Sequence, residues 1–146
     1  MTRTRRSAFT LLELVIVLAI AATLASFAVP SYRNHIARTH RIDAASALFR
    51  AAQFVEGVTS GEVSSLPAGM DQAPQSGTPV YRLRMLAAND TNGGYSLEAT
   101  PVDSGPMYDD RCGIFTLDAT GQRGNRSGSG GGSEPTPPIG ECWNTS

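Results

Sequence analysis

The chain has no lysine; all 12 of its basic residues are arginine. The glycine-rich stretch near its C-terminus therefore lacks the lysine and hydroxyl pair of a phosphate-binding loop. Histidine is confined to His35 and His40. Five positions apart, they do not share a helix face for metal binding, and both are read as solvated. The C-terminal half has no histidine, so its serines have no base to form a nucleophile–base pair. Cysteine is confined to Cys112 and Cys142, too widely spaced for a CxxC redox or zinc motif. Asp103, Asp109 and Asp110 carry oxygen ligands but follow no calcium-loop pattern, and are read as solvated loop carboxylates. These absences point away from an enzyme and call for no cofactor or metal.

Positive charge is scarce beyond the start of the chain. Arg3, Arg5 and Arg6 lie in the first eight residues; after them nine arginines face thirteen carboxylates, a net of −4. A general nucleic-acid binder needs a positive field, which this balance does not supply. A cationic start with a mildly acidic remainder suits a membrane-inserted segment whose N-terminal end stays in the cytoplasm. The length of 146 residues suits one modest domain plus an appendage.

The appendage is legible at once. Residues 1–8 are short, polar and cationic, and residues 9–29, FTLLELVIVLAIAATLASFAV, are almost wholly apolar. As a helix at about 1.5 Å per residue this run is roughly 31 Å long, close to the ~30 Å of a bilayer core. Pro30 follows it. A proline inside a helix removes a donor and crowds the preceding turn, so a kink, a loosened turn or a true break is expected there.

Beyond Pro30 the pattern changes. Ala44, Leu48, Ala51 and Val55 recur at helical spacing, and Ala45, Phe49, Ala52 and Phe54 widen the stripe. The preceding turns, with Arg33, His35, Arg38, His40 and Arg41, are polar and basic. Gly57 suits a helix C-terminus. One long helix over roughly residues 10–56 is predicted, greasy all round in its first half and one-sided over 30–56.

Residues 57–79 lack a period and read as a long loop. Three strands are predicted after it. VYRLRML (80–86) sets Tyr81, Leu83 and Met85 against Arg82 and Arg84; YSLEATPV (95–102) sets Tyr95, Leu97 and Ala99 against Ser96, Glu98 and Thr100. The Asn- and Gly-rich turn over 89–94 makes these two a hairpin. GIFTLD (113–118) is the third strand, closed by Asp118-Ala119-Thr120-Gly121. Arg123 and Arg126 fall in a later loop, and SGSGGGSEPTPP (127–138) reads as a flexible loop by composition. Arg82 and Arg84 could touch phosphates together with Arg123 and Arg126; a solvated sheet face is the preferred reading.

Glu13 is the most informative residue. A carboxylate five residues into an apolar run is costly in hydrocarbon, by about 2.5–3.5 kcal/mol for an acidic residue at the centre and less near an interface. One account is that Glu13 snorkels at the membrane surface. The functional account is a charge awaiting a partner within an assembly. Ser26-Phe27-Ala28 also matches an ordinary signal-peptidase site, which would leave a secreted chain starting at Val29. Glu13 and the continuing helix fit that poorly. An even number of cysteines in an exported chain suggests a disulfide.

The segment Ala8-Phe9-Thr10-Leu11-Leu12-Glu13-Leu14-Val15-Ile16-Val17 resembles the class III signal sequence of type IV prepilins. Arg41-Ile42-Asp43-Ala44 through Leu48, Tyr95 to Pro101, Arg111-Cys112-Gly113, Asp118 to Gly121 and the closing Cys142-Trp143 resemble the pilus-assembly and minor-pilin branch. The resemblance covers residues 8–56 and 80–143 well and 57–79 weakly. It implies an α+β pilin fold, a long helix packed on an antiparallel sheet of three or four strands. It implies a leader over 1–8, a membrane and filament-core helix over 9–29, an amphipathic helix over 30–56, and a globular region over 57–146. The leader would be cut between Ala8 and Phe9 by a prepilin peptidase and methyltransferase, leaving N-methylated Phe9. Glu13 would pair with the N-terminal amine of a neighbouring subunit, and Pro30 would be where the helix bends. Cys112 and Cys142 would bridge a C-terminal loop. The chain departs from the family at Ala8, where glycine is usual; alanine is the next smallest residue, and processing is expected.

The partners implied are other pilins and the inner-membrane assembly machinery. The subunit would wait in the bacterial inner membrane and move to an extracellular pilus. Alternatives are a pseudopilin of a type II secretion system and a pilin that captures DNA for uptake. Mass spectrometry of the mature chain should find N-methyl-Phe9 at its start. A start at Val29 would instead mark an ordinary secreted protein.

Overall fold

The computed structural model describes residues 9–58, 65–128 and 137–143. The leader with Ala8, residues 59–64 and most of the glycine-rich stretch lie outside the described residues. The chain divides into two compact units, Met1–Ile36 and Ala37–Ser146. One helix, α1 over Leu11–Gly57, contributes to both.

In the first unit the helix starts on a hydroxyl cap. The backbone N–H of Glu13 donates to Thr10 Oγ1 at 3.2 Å, satisfying one of the unpaired donors of a helix start. Thr23 and Ser26 return their hydroxyl protons to the carbonyls of Ile20 and Thr23, each at 2.7 Å. Neither hydroxyl then needs water, which matters in a segment that is long and apolar enough to cross a membrane. The helix runs through Pro30 without interruption, so a true break, one of the outcomes considered from sequence, does not occur.

In the second unit the rest of α1 presents Ala44, Ala45, Ala47, Leu48, Ala51 and Ala52 to the core. The predicted stripe is right in phase and too wide. Phe49 stays at the rim, while Ala47, which the stripe omitted, is buried. The helix ends at Gly57, as its sequence implied.

A five-stranded antiparallel sheet follows, its strands in sequence order: β1 Gln72–Ala73, β2 Tyr81–Leu86, β3 Ser96–Pro101, β4 Ile114–Asp118 and β5 Arg123–Arg126. A short helix, α2 over Ile139–Cys142, comes last. The three predicted strands are β2, β3 and β4. The two edge strands were read from sequence as loop. β1 is two residues long, and β5 is Arg-Gly-Asn-Arg, with no apolar alternation. Both exist because a neighbouring strand supplies the ladder: Gln72 pairs Arg82, and Ile114 through Leu117 pair Arg126 through Arg123.

The core-facing side of the sheet carries Tyr81, Leu83, Leu97, Ala99, Phe115 and Leu117, packed with the alanine face of α1 and with Met107, Cys112, Cys142 and Trp143. Tyr81 meets Phe115 edge-on at 5.9 Å between centroids, and Phe115 meets Trp143 at 5.4 Å. Trp143 donates its indole N–H to the Gly124 carbonyl at 3.1 Å, so its burial leaves no donor stranded. Arg123 lies over both Phe49 and Trp143, at 5.1 and 5.7 Å from the ring centroids.

A largely buried ion pair ties the helix to the rest of this unit. Arg41 on α1 binds Asp110: Nε donates to Oδ2 at 3.1 Å and a terminal nitrogen reaches Oδ1. Oδ2 also accepts the N–H of Cys112 at 3.1 Å. Asp110, read from sequence as a solvated loop carboxylate, is instead 8% exposed and clamped to the helix. His40, also read as solvated, is half-buried with its Nδ1 shut away from water. The nearby Tyr81 phenol is pushed well above its ordinary pKa by burial, with the Asp110 charge adding to the effect. Tyr95 donates to Glu56 at 3.1 Å, and burial together with that bond raises its pKa to about 12.

Turn chemistry completes the unit. In the β2–β3 connection the Asn92 side chain donates to the Ala87 carbonyl at 2.9 Å and accepts from the N–H of Asn89 at 2.9 Å and of Gly94 at 3.2 Å. Gly113, at φ 58°, has no room for a side chain; an added Cβ would lie 2.3 Å from the Arg126 carbonyl oxygen. The disulfide joins Cys112 to Cys142, 30 positions apart in sequence, with Cα atoms 5.7 Å apart. Loop-closure entropy for a ring of that size is worth about 3–4 kcal/mol. Replacing both cysteines by serine should lower the denaturant-unfolding free energy of the full chain in detergent by about that amount. An unchanged midpoint would show that the aromatic packing alone closes the loop.

Candidate functional site

Two surfaces carry the chemistry that the core does not use. The first is the N-terminal part of α1 with the two residues before it. Phe9, Leu11, Leu12, Leu14, Val15, Ile16, Val17, Leu18, Ile20, Leu24, Phe27 and Val29 are all about half to four-fifths exposed. So much contiguous apolar surface is far beyond the patch size a soluble monomer tolerates. Its physical requirement is a second apolar phase, lipid or other helices. Within it stands one carboxylate, Glu13, in the first turn of the helix. Phe9 lies two residues before the helix begins and four positions ahead of Glu13. A carboxylate at a helix start also gains from the dipole. The structure therefore puts the sequence-derived residues Glu13 and Pro30 on α1, with Phe9 two residues ahead of its start; Ala8 lies outside the described residues.

The second surface is the outward face of the sheet. Alternation along β2 points Arg82 and Arg84 away from the core, as expected. Cross-strand register sets Arg84 opposite Glu98 and Arg82 opposite Thr100. Arg126 reaches the same carboxylate from β5, so Glu98 holds an arginine on each oxygen. Arg123, which sequence grouped with these arginines, points the other way, over the aromatic rings. Arg84 facing Glu98 across a predicted hairpin was available in the sequence as a signal. Arg126 was not, because β5 has no strand pattern.

Asp118, at the end of β4, belongs to a turn. Its Oδ1 accepts the hydroxyl of Thr120 and the N–H groups of Thr120 and Gln122. The Thr120 hydroxyl bond leads in lowering its pKa. Among the described residues no group of three or more His, Cys, Asp or Glu side chains is arranged to hold a metal ion.

Comparison with known proteins bears on both surfaces. A family model described as "Prokaryotic N-terminal methylation motif" matches residues 3–29. A second, described as "Type IV minor pilin ComP, DNA uptake sequence receptor", matches residues 30–124. Curated relatives include type IV major fimbrial proteins FimA of Dichelobacter nodosus. One is 36% identical over 98 residues, covering 58% of this chain and 61% of its own length. Another is 37% identical over 90 residues, covering 61% of this chain and 48% of its own. That of strain VCS1703A is 39% identical over 98 residues, covering 58% and 60%. The matches thus span about half to three-fifths of the relatives' lengths.

Proposed function

This chain belongs to the type IV pilin family, and from that premise we propose that it is a minor subunit of a type IV pilus, processed at its N-terminus and built into an extracellular filament. One observation carries the reading: a helix whose first half is apolar on every side and uncovered in the described structure, interrupted by a single carboxylate. Such a surface is satisfied twice, first by lipid and later by the same segment of neighbouring subunits. The role is structural, with no reaction to catalyse.

In the proposed sequence of events the leader arginines keep the N-terminus in the cytoplasm while residues 9–29 span the inner membrane. The peptidase cuts between Ala8 and Phe9 and the new amine of Phe9 is methylated. The cut creates a positive charge one helical turn from Glu13. In a staggered filament the amine of one subunit meets Glu13 of the next, and each charge offsets the desolvation of the other. Pro30 is the point at which the helix bends or loosens to fit the assembly.

Glu13→Ala tests this. The segment becomes more apolar, so membrane insertion is retained, and the globular unit, which begins at Ala37, keeps its fold. Leaving the amine without its partner costs about 3–5 kcal/mol in a buried setting, so incorporation into sheared pili should fall at least about tenfold. Normal amounts in filaments would remove Glu13 from the assembly contact, and loss from membranes as well would mean an insertion defect.

A second role is favoured by the family match over residues 30–124, whose description names a DNA uptake sequence receptor. We propose that this subunit also contacts DNA. The arginine-bearing surface of the globular unit is compatible with that role, though the chain beyond its leader is net acidic. The full-length protein in nonionic detergent should retard duplex DNA at low salt, with weaker binding at physiological salt. No retardation at low salt would remove the DNA role and leave the filament role intact.

A further inference from the structure

Glu98 is an anomaly on the outward face of the sheet. It lies opposite the core side, where a carboxylate would ordinarily be hydrated, yet it is only 3% exposed. Two arginines cover it. Arg84 places Nε at 2.9 Å and a terminal nitrogen at 2.7 Å from Oε2, and Arg126 takes Oε1. The arginine side chains themselves remain 60% and 50% exposed, and that of Arg82, one row away, is 59% exposed. Arg82, Arg84, Thr100, Ile114, Arg126 and Leu83 line a depression of about 400 Å³ between them.

The arrangement differs from a solvated scatter of arginines. A guanidinium carries five donors in a rigid fork. Arg84 spends two on Glu98 and Arg126 spends one, which leaves the others for a ligand. Because the carboxylate holds both side chains, little further rotamer freedom is lost on binding. Locally three guanidiniums face Glu98 and Asp71, the latter exposed and 3.9 Å from Arg82. That is a surplus of positive charge in a chain that is net acidic beyond its leader.

We infer that this depression is a phosphate-chain site and that a DNA backbone runs across it, with successive phosphates at Arg82, Arg84 and Arg126. The Thr100 hydroxyl donates to a phosphate oxygen, and Ile114 supplies an apolar contact to a sugar. Arg82 and Arg126 stand in one cross-strand row about three strand spacings, or roughly 14 Å, apart at the backbone, and Arg126 leans in toward Glu98 from the far strand. The contacts are to backbone, so they set affinity and orientation and leave base choice to other residues. Glu98 is a positioning residue that touches no phosphate. The inference rests on the DNA role proposed above and adds its location.

The test uses full-length protein in nonionic detergent, a labelled DNA duplex read by fluorescence anisotropy over a range of salt, and inorganic triphosphate read by NMR at the arginine Nε–H and Thr100 amide signals. The triple variant Arg82→Gln, Arg84→Gln, Arg126→Gln should bind DNA at least about tenfold more weakly, with a salt slope smaller by about three. Arg82→Gln alone, which leaves the Glu98 pair intact, should reduce the slope by about one, so the test survives misfolding of the triple variant. Arg50→Gln, on the exposed surface of α1, should change nothing. Glu98→Gln should weaken binding although it adds net positive charge; tighter binding would show that Glu98 only neutralises, and would overturn its positioning role. DNA binding by wild type that the arginine variants leave unchanged would overturn the site and keep the DNA role. If wild type ignores DNA while triphosphate shifts the Arg84, Arg126 and Thr100 signals, DNA is overturned as the occupant and the phosphate site stands. Silence toward both probes would overturn both.

Discussion

The globular unit depends on packing a small-residue helix face against large side chains of the sheet. Five of the six buried α1 side chains are alanine, and Leu48 is the sixth. Alanine costs no side-chain entropy and leaves room for bulky partners. The large side chains come from the other side: Tyr81, Leu97, Phe115 and Leu117 fill the space the alanines leave. This division of volume is why the sheet can be a simple five-stranded meander and still enclose a packed core. It also explains why Cys142 and Trp143, distant in sequence, are needed. The edge toward β5 has few apolar residues of its own, and Trp143 closes it.

Charge is used sparingly and in fixed places. Arg41 and Asp110 tie the helix to the turn that carries Cys112, so helix docking and the position of one disulfide partner are coupled through a single carboxylate. Removing either partner would strand a mostly buried charge, which costs far more than a surface pair contributes. Glu98 obeys the same rule on the opposite face. Two arginines shield it, and it restrains both of them. The two sites share a chemistry, a bidentate or doubly bound carboxylate, and differ in what stays accessible. At Asp110 almost nothing does, whereas at Glu98 the guanidiniums still face solvent.

The helix itself answers to two different environments. Its first half presents apolar side chains in every direction and returns its few hydroxyls to its own backbone, which suits a medium without water. Its second half is one-sided because it has a sheet to cover. Glu13 is the exception in the first half, a carboxylate in the first turn of an otherwise apolar segment. In the filament role proposed above, neighbouring apolar segments replace lipid around it.

The long helix, its end at Gly57, three of the five strands and their inward faces were legible in the sequence, because each is stated by a local period: continuous apolarity over 9–29, helical spacing from Ala44 to Ala52, alternation in 81–86 and 96–101. The methylation-type start was legible for the same reason, as a contiguous motif at the head of the helix. β1 and β5 were not, since Gln72–Ala73 and Arg123–Arg126 have no pattern of their own and become strands only when β2 and β4 offer them a ladder. Nor were the burial of Asp110 and Glu98, or the separation of Arg123 from Arg126, because a charged residue reads as solvated until its partner is placed beside it. Arg41 and Asp110 are 69 positions apart, and Glu98 and Arg126 are 28 apart. By itself the sequence determined every element whose signal is carried by neighbours along the chain; the tertiary structure alone decided which distant charges meet, because pairing energy depends on distance in space and leaves no period in the sequence.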